Sequence, residues 1–172
     1  MVSNPNYKVS VPSSLRNVAI GPGWENKKGE RHWLAEFSKE IEKVEIEKIK
    51  EEIEEVEFKV TYQGKFKDCE TVSEIYKLNT KGLEITDEIN KNKILVQIPL
   101  LETDGLNKSE IEIGKKGFKV KYMGHTYEII CIEPEETNIF LESFSAPNRN
   151  GIYKIGCFGS RGNRIKYRIS FR

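Results

Sequence analysis

The stretch Trp33-Leu34-Ala35-Glu36-Phe37-Ser38-Lys39-Glu40-Ile41-Glu42-Lys43-Val44-Glu45-Ile46-Glu47-Lys48-Ile49-Lys50-Glu51-Glu52-Ile53-Glu54-Glu55-Val56 decides the fold class. Its apolar residues fall at Leu34, Phe37, Ile41 and Val44, then at Ile46, Ile49, Ile53 and Val56, two 3-4-3 stripes offset by two residues. That spacing puts side chains on one face of an α-helix, so the stretch predicts a single long amphipathic helix over about 33–55. The offset turns the buried face midway along it. The last turns carry Glu51, Glu52, Glu54 and Glu55, the wrong sign for the negative end of a helix dipole, so a cationic partner is expected to face them.

Downstream the period changes to two. Val56, Phe58, Val60 and Tyr62 alternate with polar residues, as in a strand with one wet face. Thr71-Val72-Ser73-Glu74 has the form of a capping box and suits a short helix through Leu78, with a strand as the alternative. Leu83 to Ile85, Ile94 to Pro99 and Glu110 to Ile113 are short strand candidates between Gly and Asn breakers. Phe118 to Met123 and Thr126 to Ile132 alternate on either side of Gly124-His125, which suits a type II′ hairpin. Thr137 to Phe144 predicts another strand, and Ile152 to Phe158 with Ile165 to Phe171 a closing hairpin. Upstream, Pro5, Pro12, Pro22, Gly21, Gly23 and Gly29 argue for an extended arm over residues 1–30 with one or two short strands. The expected fold is therefore α+β and β-rich: an antiparallel meander or small β-barrel with one long helix, forming a single domain over 31–172.

Composition bounds the class. The chain has 172 residues, 37% hydrophobic and 32% charged, too apolar for a disordered chain and long enough to bury roughly 70% of its unfolded surface. No apolar run approaches the length of a membrane span, and the first 30 residues carry no secretory signal pattern. Cys69, Cys131 and Cys157 make an odd set whose spacing fits neither a disulfide framework nor a zinc site. The setting is expected to be reducing and intracellular, and Cys131 and Cys157 read as two small buried residues, although a bridge between them is conceivable if their strands adjoin.

Charge is segregated. Between Glu36 and Glu57 ten Glu face four Lys, a local charge of −6. From Ser145 to the end, seven cations stand with no acid, and five of the seven arginines of the chain lie there. Arginine suits carboxylates and phosphates in forked geometry. Arg149, Arg161, Arg164, Lys166, Arg168 and Arg172 are the candidate phosphate- or partner-binding residues, and Glu47, Glu51, Glu54 and Glu55 the candidate acidic docking face. On the last strand Arg164, Lys166, Arg168 and Arg172 share one face, a positive stripe of roughly 27 Å that can track a phosphate backbone.

Catalytic patterns are missing. His32 and His125 couple to no nucleophile or ligand set, and no nucleophile elbow, phosphate loop or dinucleotide fingerprint occurs. Glu57-Phe58-Lys59 has the Glu-x-Lys form of metal-dependent nucleases without an upstream Asp. Gly151-Ile152-Tyr153 stands too near the end to open a nuclease domain. The sequence thus predicts a non-enzymatic assembly protein without cofactor or metal, acting through contacts with other subunits of its own or another kind, as in a viral or phage particle. The alternative is a nucleic-acid-binding module using the arginine-rich hairpin. No membrane partner is expected.

Overall fold

The computed structural model describes residues 20–148 and 151–171. Among them the chain forms thirteen strands and one single-turn 3-10 helix, Leu34–Phe37. The strands are β1 (Gly21–Glu25), β2 (Arg31–Trp33), β3 (Ile41–Glu52), β4 (Glu55–Phe66), β5 (Cys69–Asn79), β6 (Gly82–Ile89), β7 (Lys93–Thr103), β8 (Glu110–Gly114), β9 (Gly117–Tyr122), β10 (His125–Glu133), β11 (Asn138–Asn148), β12 (Gly151–Gly159) and β13 (Arg164–Phe171). All pairings are antiparallel. They make a five-stranded sheet, β11-β12-β7-β1-β2, and an eight-stranded sheet, β3-β4-β5-β6-β13-β10-β9-β8.

The expected α+β class is therefore wrong: the long helix over 33–55 does not exist, and its place is taken by the 3-10 turn and β3. The physical reason is a pair of β-bulges. Pairing of β3 with β4 shifts between Ile41 and Lys43 and again between Lys48 and Lys50. Each bulge adds one residue to β3, so a spacing of two becomes three, and Ile41 joins Val44 and Ile46 on one face. A strand interrupted in this way imitates the helical 3-4 spacing. The β-branched Ile and Val that dominate the stretch prefer the pleated conformation it adopts.

Three other expectations change. The capping-box segment 71–78 is the body of β5, with Glu74 on the core face. The β9–β10 hairpin turns at Met123-Gly124, with Tyr122 opposite His125 and both turn residues at positive φ (49° and 78°), so the turn is type I′ rather than II′. The closing hairpin is not a hairpin: β12 lies in the five-stranded sheet and β13 in the eight-stranded one, and residues 160–163 carry the chain across the sandwich. The apolar residues of these two strands serve that crossing. Phe158 of β12 meets Tyr167 of β13 at 5.9 Å and Phe118 of β9 at 5.4 Å between ring centroids.

The core lies between the sheets. Trp24, Ile94, Val96, Ile98, Leu100 and Phe158 face Ile85, Phe118, Ile129, Ile165 and Tyr167, all buried. Within the larger sheet, β9 lies against β10 so closely that Gly117 is obligatory: a Cβ there would stand 1.8 Å from the Ile129 carbonyl oxygen. A smaller cluster, Trp33, Leu95, Ala146, Ile155 and Cys157, occupies the other side of the five-stranded sheet. Eight strands oppose five, so the sheets do not cover each other fully. Trp24 and Phe37 pack over Phe66 at one end of β4. The other end of the β3–β5 region, around the β3–β4 turn, keeps its core-side residues exposed, and we call it the wing.

Candidate functional site

The inner face of the eight-stranded sheet can be followed row by row from the register. One row runs Ile46, Val60, Glu74, Asp87, Ile165, and the next Lys48, Phe58, Tyr76, Ile85, Tyr167. At the wing this face emerges into solvent: Val44, Ile46, Val56 and Leu78 are 49%, 74%, 39% and 56% exposed. Phe58 and Tyr76 stack at 5.1 Å between them and the covered core. Ile53, at the β3–β4 turn, is fully exposed. The rim is charged with both signs, Lys48 pairing with Glu51 at 2.6 Å.

Where the wing meets the core lies an acidic cluster. Glu74 and Asp87 are opposite neighbours on β5 and β6, both buried. Tyr76 donates its hydroxyl to Glu74 Oε1 at 2.8 Å. Tyr62 and Tyr167 are diagonal neighbours, within reach of the pair in a pleated sheet. Burial pushes both carboxyls above their ordinary range, and the charge of Glu74 pushes Asp87 further. The phenols of Tyr62, Tyr76 and Tyr167 are raised too, first by burial and then by the acids they face. This cluster was not among the residues expected from the sequence. Its signal was an acid in phase with an apolar alternation, Asp87 among Leu83, Ile85 and Ile89, and Glu74 among Val72, Tyr76 and Leu78.

Three of the sequence-predicted basic residues, Arg164, Lys166 and Arg168, stand on the opposite, outer face of β13, and they are neutralised there. Arg164 pairs with Glu88 at 2.9 Å and Glu133 at 2.6 Å, Lys166 with Glu84 at 3.0 Å, and Arg168 Nε with Glu84 at 3.0 Å. Partial burial alone would raise the Glu84 pKa, but the Arg168 and Lys166 cations beside it outweigh burial and lower it. Arg161, on the β12–β13 turn, is exposed and makes no ion pair with a described residue. Arg149 and Arg172 lie outside the described residues. The acidic candidates are distributed along the wing: Glu51 pairs with Lys48, Glu55 with Lys50 at 3.0 Å and Lys77 at 2.9 Å, Glu47 stands opposite Lys59, and Glu54 is exposed in the turn. β3 and β13 are four strand spacings apart, about 19 Å, so the two charged segments do not meet across the sheet.

Two further places gather polar groups. A groove of about 790 Å³ brings Arg161 and Arg164 together with Arg31, Lys93, Glu25 and Glu136 over Leu95 and Phe140. Three of its charges pair with one another: Glu25 lies 3.5 Å from Arg31 and 3.4 Å from Lys93. Glu30, His32 and Asp68 offer ligand atoms within 4.8 Å of one another, a donor set suited in type to a divalent cation. Both carboxylates are already engaged, each accepting from Asn26 Nδ2 at 2.9 Å, and Glu30 also from Lys67 Nζ at 2.9 Å. Cys131 and Cys157 are free and buried, as expected of small core residues, and so is Cys69. Burial, aided by the Glu142 charge, pushes the Cys157 thiol up to about 12. Among the described residues no helix is long and apolar enough to cross a membrane.

No family model matches the chain, and no curated protein matches it. Solved structures do share its fold. The chain is similar to the alpha-N-acetylgalactosaminidase NagBb from Bifidobacterium bifidum, a quadruple mutant, with TM-score 0.59 and 12% identity over 89% of this chain and 30% of that one. It is also similar to the heparan sulfate lyase HepC from Pedobacter heparinus, with TM-score 0.54 and 13% identity over 75% of this chain and 22% of that one. Both neighbours are enzymes, and the chain spans less than a third of either. At such identity the likeness shows a common two-sheet sandwich and nothing of activity.

Proposed function

We propose that the chain acts by contact rather than by catalysis, as an assembly module whose docking face is the wing and whose partner is a second copy of itself. The observation that carries this reading is the exposure of Val44, Ile46, Val56 and Leu78 in continuation of the face that elsewhere forms the core. Apolar residues gathered in this way, beside a stacked Phe58–Tyr76 pair, mark an interaction surface. Self-association suits the charge of the face. Lys48 and Glu51 lie side by side on it, so two copies related by a two-fold axis can set Lys48 of one opposite Glu51 of the other. The formal net charge of +1 adds little repulsion between copies.

Size sets the strength. Three strands by about eight residues give a face of roughly 400 Å², at the low end of specific interfaces, so association is weak and concentration-dependent. A role as subunit of a larger particle would use this contact repeatedly with others. The nucleic-acid reading lacks comparable support, since Arg164, Lys166 and Arg168 face Glu84, Glu88 and Glu133. The enzyme activities of the structural neighbours do not transfer at the coverage observed. Sedimentation velocity from micromolar to near-millimolar protein tests the proposal. A 19.9 kDa monomer that becomes a dimer on concentration, and stays monomeric when Ile46 and Leu78 are both changed to Lys, is the expected result. A monomer throughout overturns it.

A further inference from the structure

Glu74 and Asp87 face each other directly across two neighbouring strands on the core side of the larger sheet, where opposite side chains are about 5 Å apart. Asp87 is 0% exposed and Glu74 5%. No well-formed hydrogen bond reaches either Asp87 oxygen, and the hydroxyl of the fully buried Tyr167 beside it makes only a weak approach to that carboxyl. The titratable groups facing the pair are Tyr62 from β4, Tyr76 from β5 and Tyr167 from β13, all neutral at pH 7. Lys48, on the same face, is two strands from Glu74 and already held by Glu51. Two carboxylates so placed, without a cation, cannot both stay ionised in a water-excluded interior.

We propose that Glu74 and Asp87 share one proton at neutral pH, and that this buried acid pair makes the sandwich a pH-sensitive device, tight when the proton is held and loosened when it leaves. The proton is covalently bound to one carboxyl and donated to the other, which satisfies one of the orphaned Asp87 oxygens. The direction of the pH response follows from linkage. In the unfolded chain both acids lose their protons near pH 4. Burial and mutual charge hold the folded pair above that range. Between the two titrations the folded state binds more protons, so each unit of rising pH lowers the folding constant up to tenfold per proton. The stabilisation is complete below the unfolded titration and gone above the folded one. Tyr76, which donates to Glu74, stacks on Phe58 at the root of the wing, so the loosening starts where the sheet is least covered.

Urea unfolding at successive pH values from 4.5 to 8 tests this, with wild type, Asp87→Asn and Glu74→Gln, each in a chelator and with added calcium. The stability of the wild type is expected to fall relative to both variants by up to tenfold in equilibrium constant per pH unit, unaffected by calcium. Infrared spectra of the wild type at pH 7 are expected to show a protonated-carboxyl band, shifted on deuteration and missing from Asp87→Asn. If Asp87→Asn does not fold, Glu74→Gln and the wild-type band decide. Parallel pH profiles, or no protonated band, overturn the proposal. Calcium raising wild-type stability at pH 7 overturns it as well, because a cation and not a proton would then hold the pair.

Discussion

Replacing Ile46 by Thr tests both the wing and the symmetry proposed for it. Ile46 is 74% exposed on the inner face of β3, opposite Val60. Burying a whole Ile side chain stabilises by roughly 1.5–3 kcal/mol, so covering the exposed three-quarters contributes about 1–2 kcal/mol. A two-fold dimer covers the residue twice, giving about 2–4 kcal/mol and, at 1.4 kcal/mol per decade, roughly a 30- to 1,000-fold change in Kd. Thr keeps one methyl and the branched Cβ that suits a strand, so the lower part of that range is expected, with folding stability little changed. Sedimentation equilibrium on the variant alone gives the full loss. A mixture with labelled wild type gives the mixed dimer, which should lose half as much free energy. An unchanged Kd refutes the wing as the contact. A mixed dimer as weak as the variant homodimer, or as strong as the wild type, refutes the two-fold arrangement.

Gly117→Ala sets a Cβ against the Ile129 carbonyl and should destabilise by about 3 kcal/mol or more, read from the urea midpoint, whereas Gly21→Ala, in open space and without a left-handed φ, should cost far less. Changing Glu84, Glu88 and Glu133 to Gln removes the carboxylates that neutralise Arg164, Lys166 and Arg168, so heparin retention should move to distinctly higher salt, while the wild type elutes early. The Cys157 thiol, pushed up to about 12 and fully buried, should resist alkylation at pH 8 in the folded protein and react fully in denaturant, as mass spectrometry will show.

Strand positions were legible in the sequence wherever alternation ran unbroken, as in β4, β6, β7, β9 and β10. They were illegible where tertiary structure altered the count. The two bulges in β3 converted a period of two into an apparent helical stripe, and no residue in 41–52 announces a bulge, because β4 imposes it. The pairing of β12 and β13 with different sheets was equally hidden, since an alternating strand does not say which neighbour it joins. Arg164, Lys166 and Arg168 share one face of β13, as their alternation implies, but their partners come from β6 and the end of β10, 31 to 84 positions away in the chain. Glu74 and Asp87 were the reverse case. Their place inside an apolar alternation was visible, and only the weight of the charge patterns elsewhere drew attention from it.

The guarded edge of β3 bears on how large any assembly becomes. A bare edge strand invites further strands without limit, the route to fibres. Here two bulges distort the ladder, and eight of the twelve β3 residues are Glu or Lys. Growth along the hydrogen-bonding direction is thereby discouraged, while the flat apolar face beside it remains open to stacking. A face used once by each copy is consumed when two copies meet, so association through it ends at a closed pair.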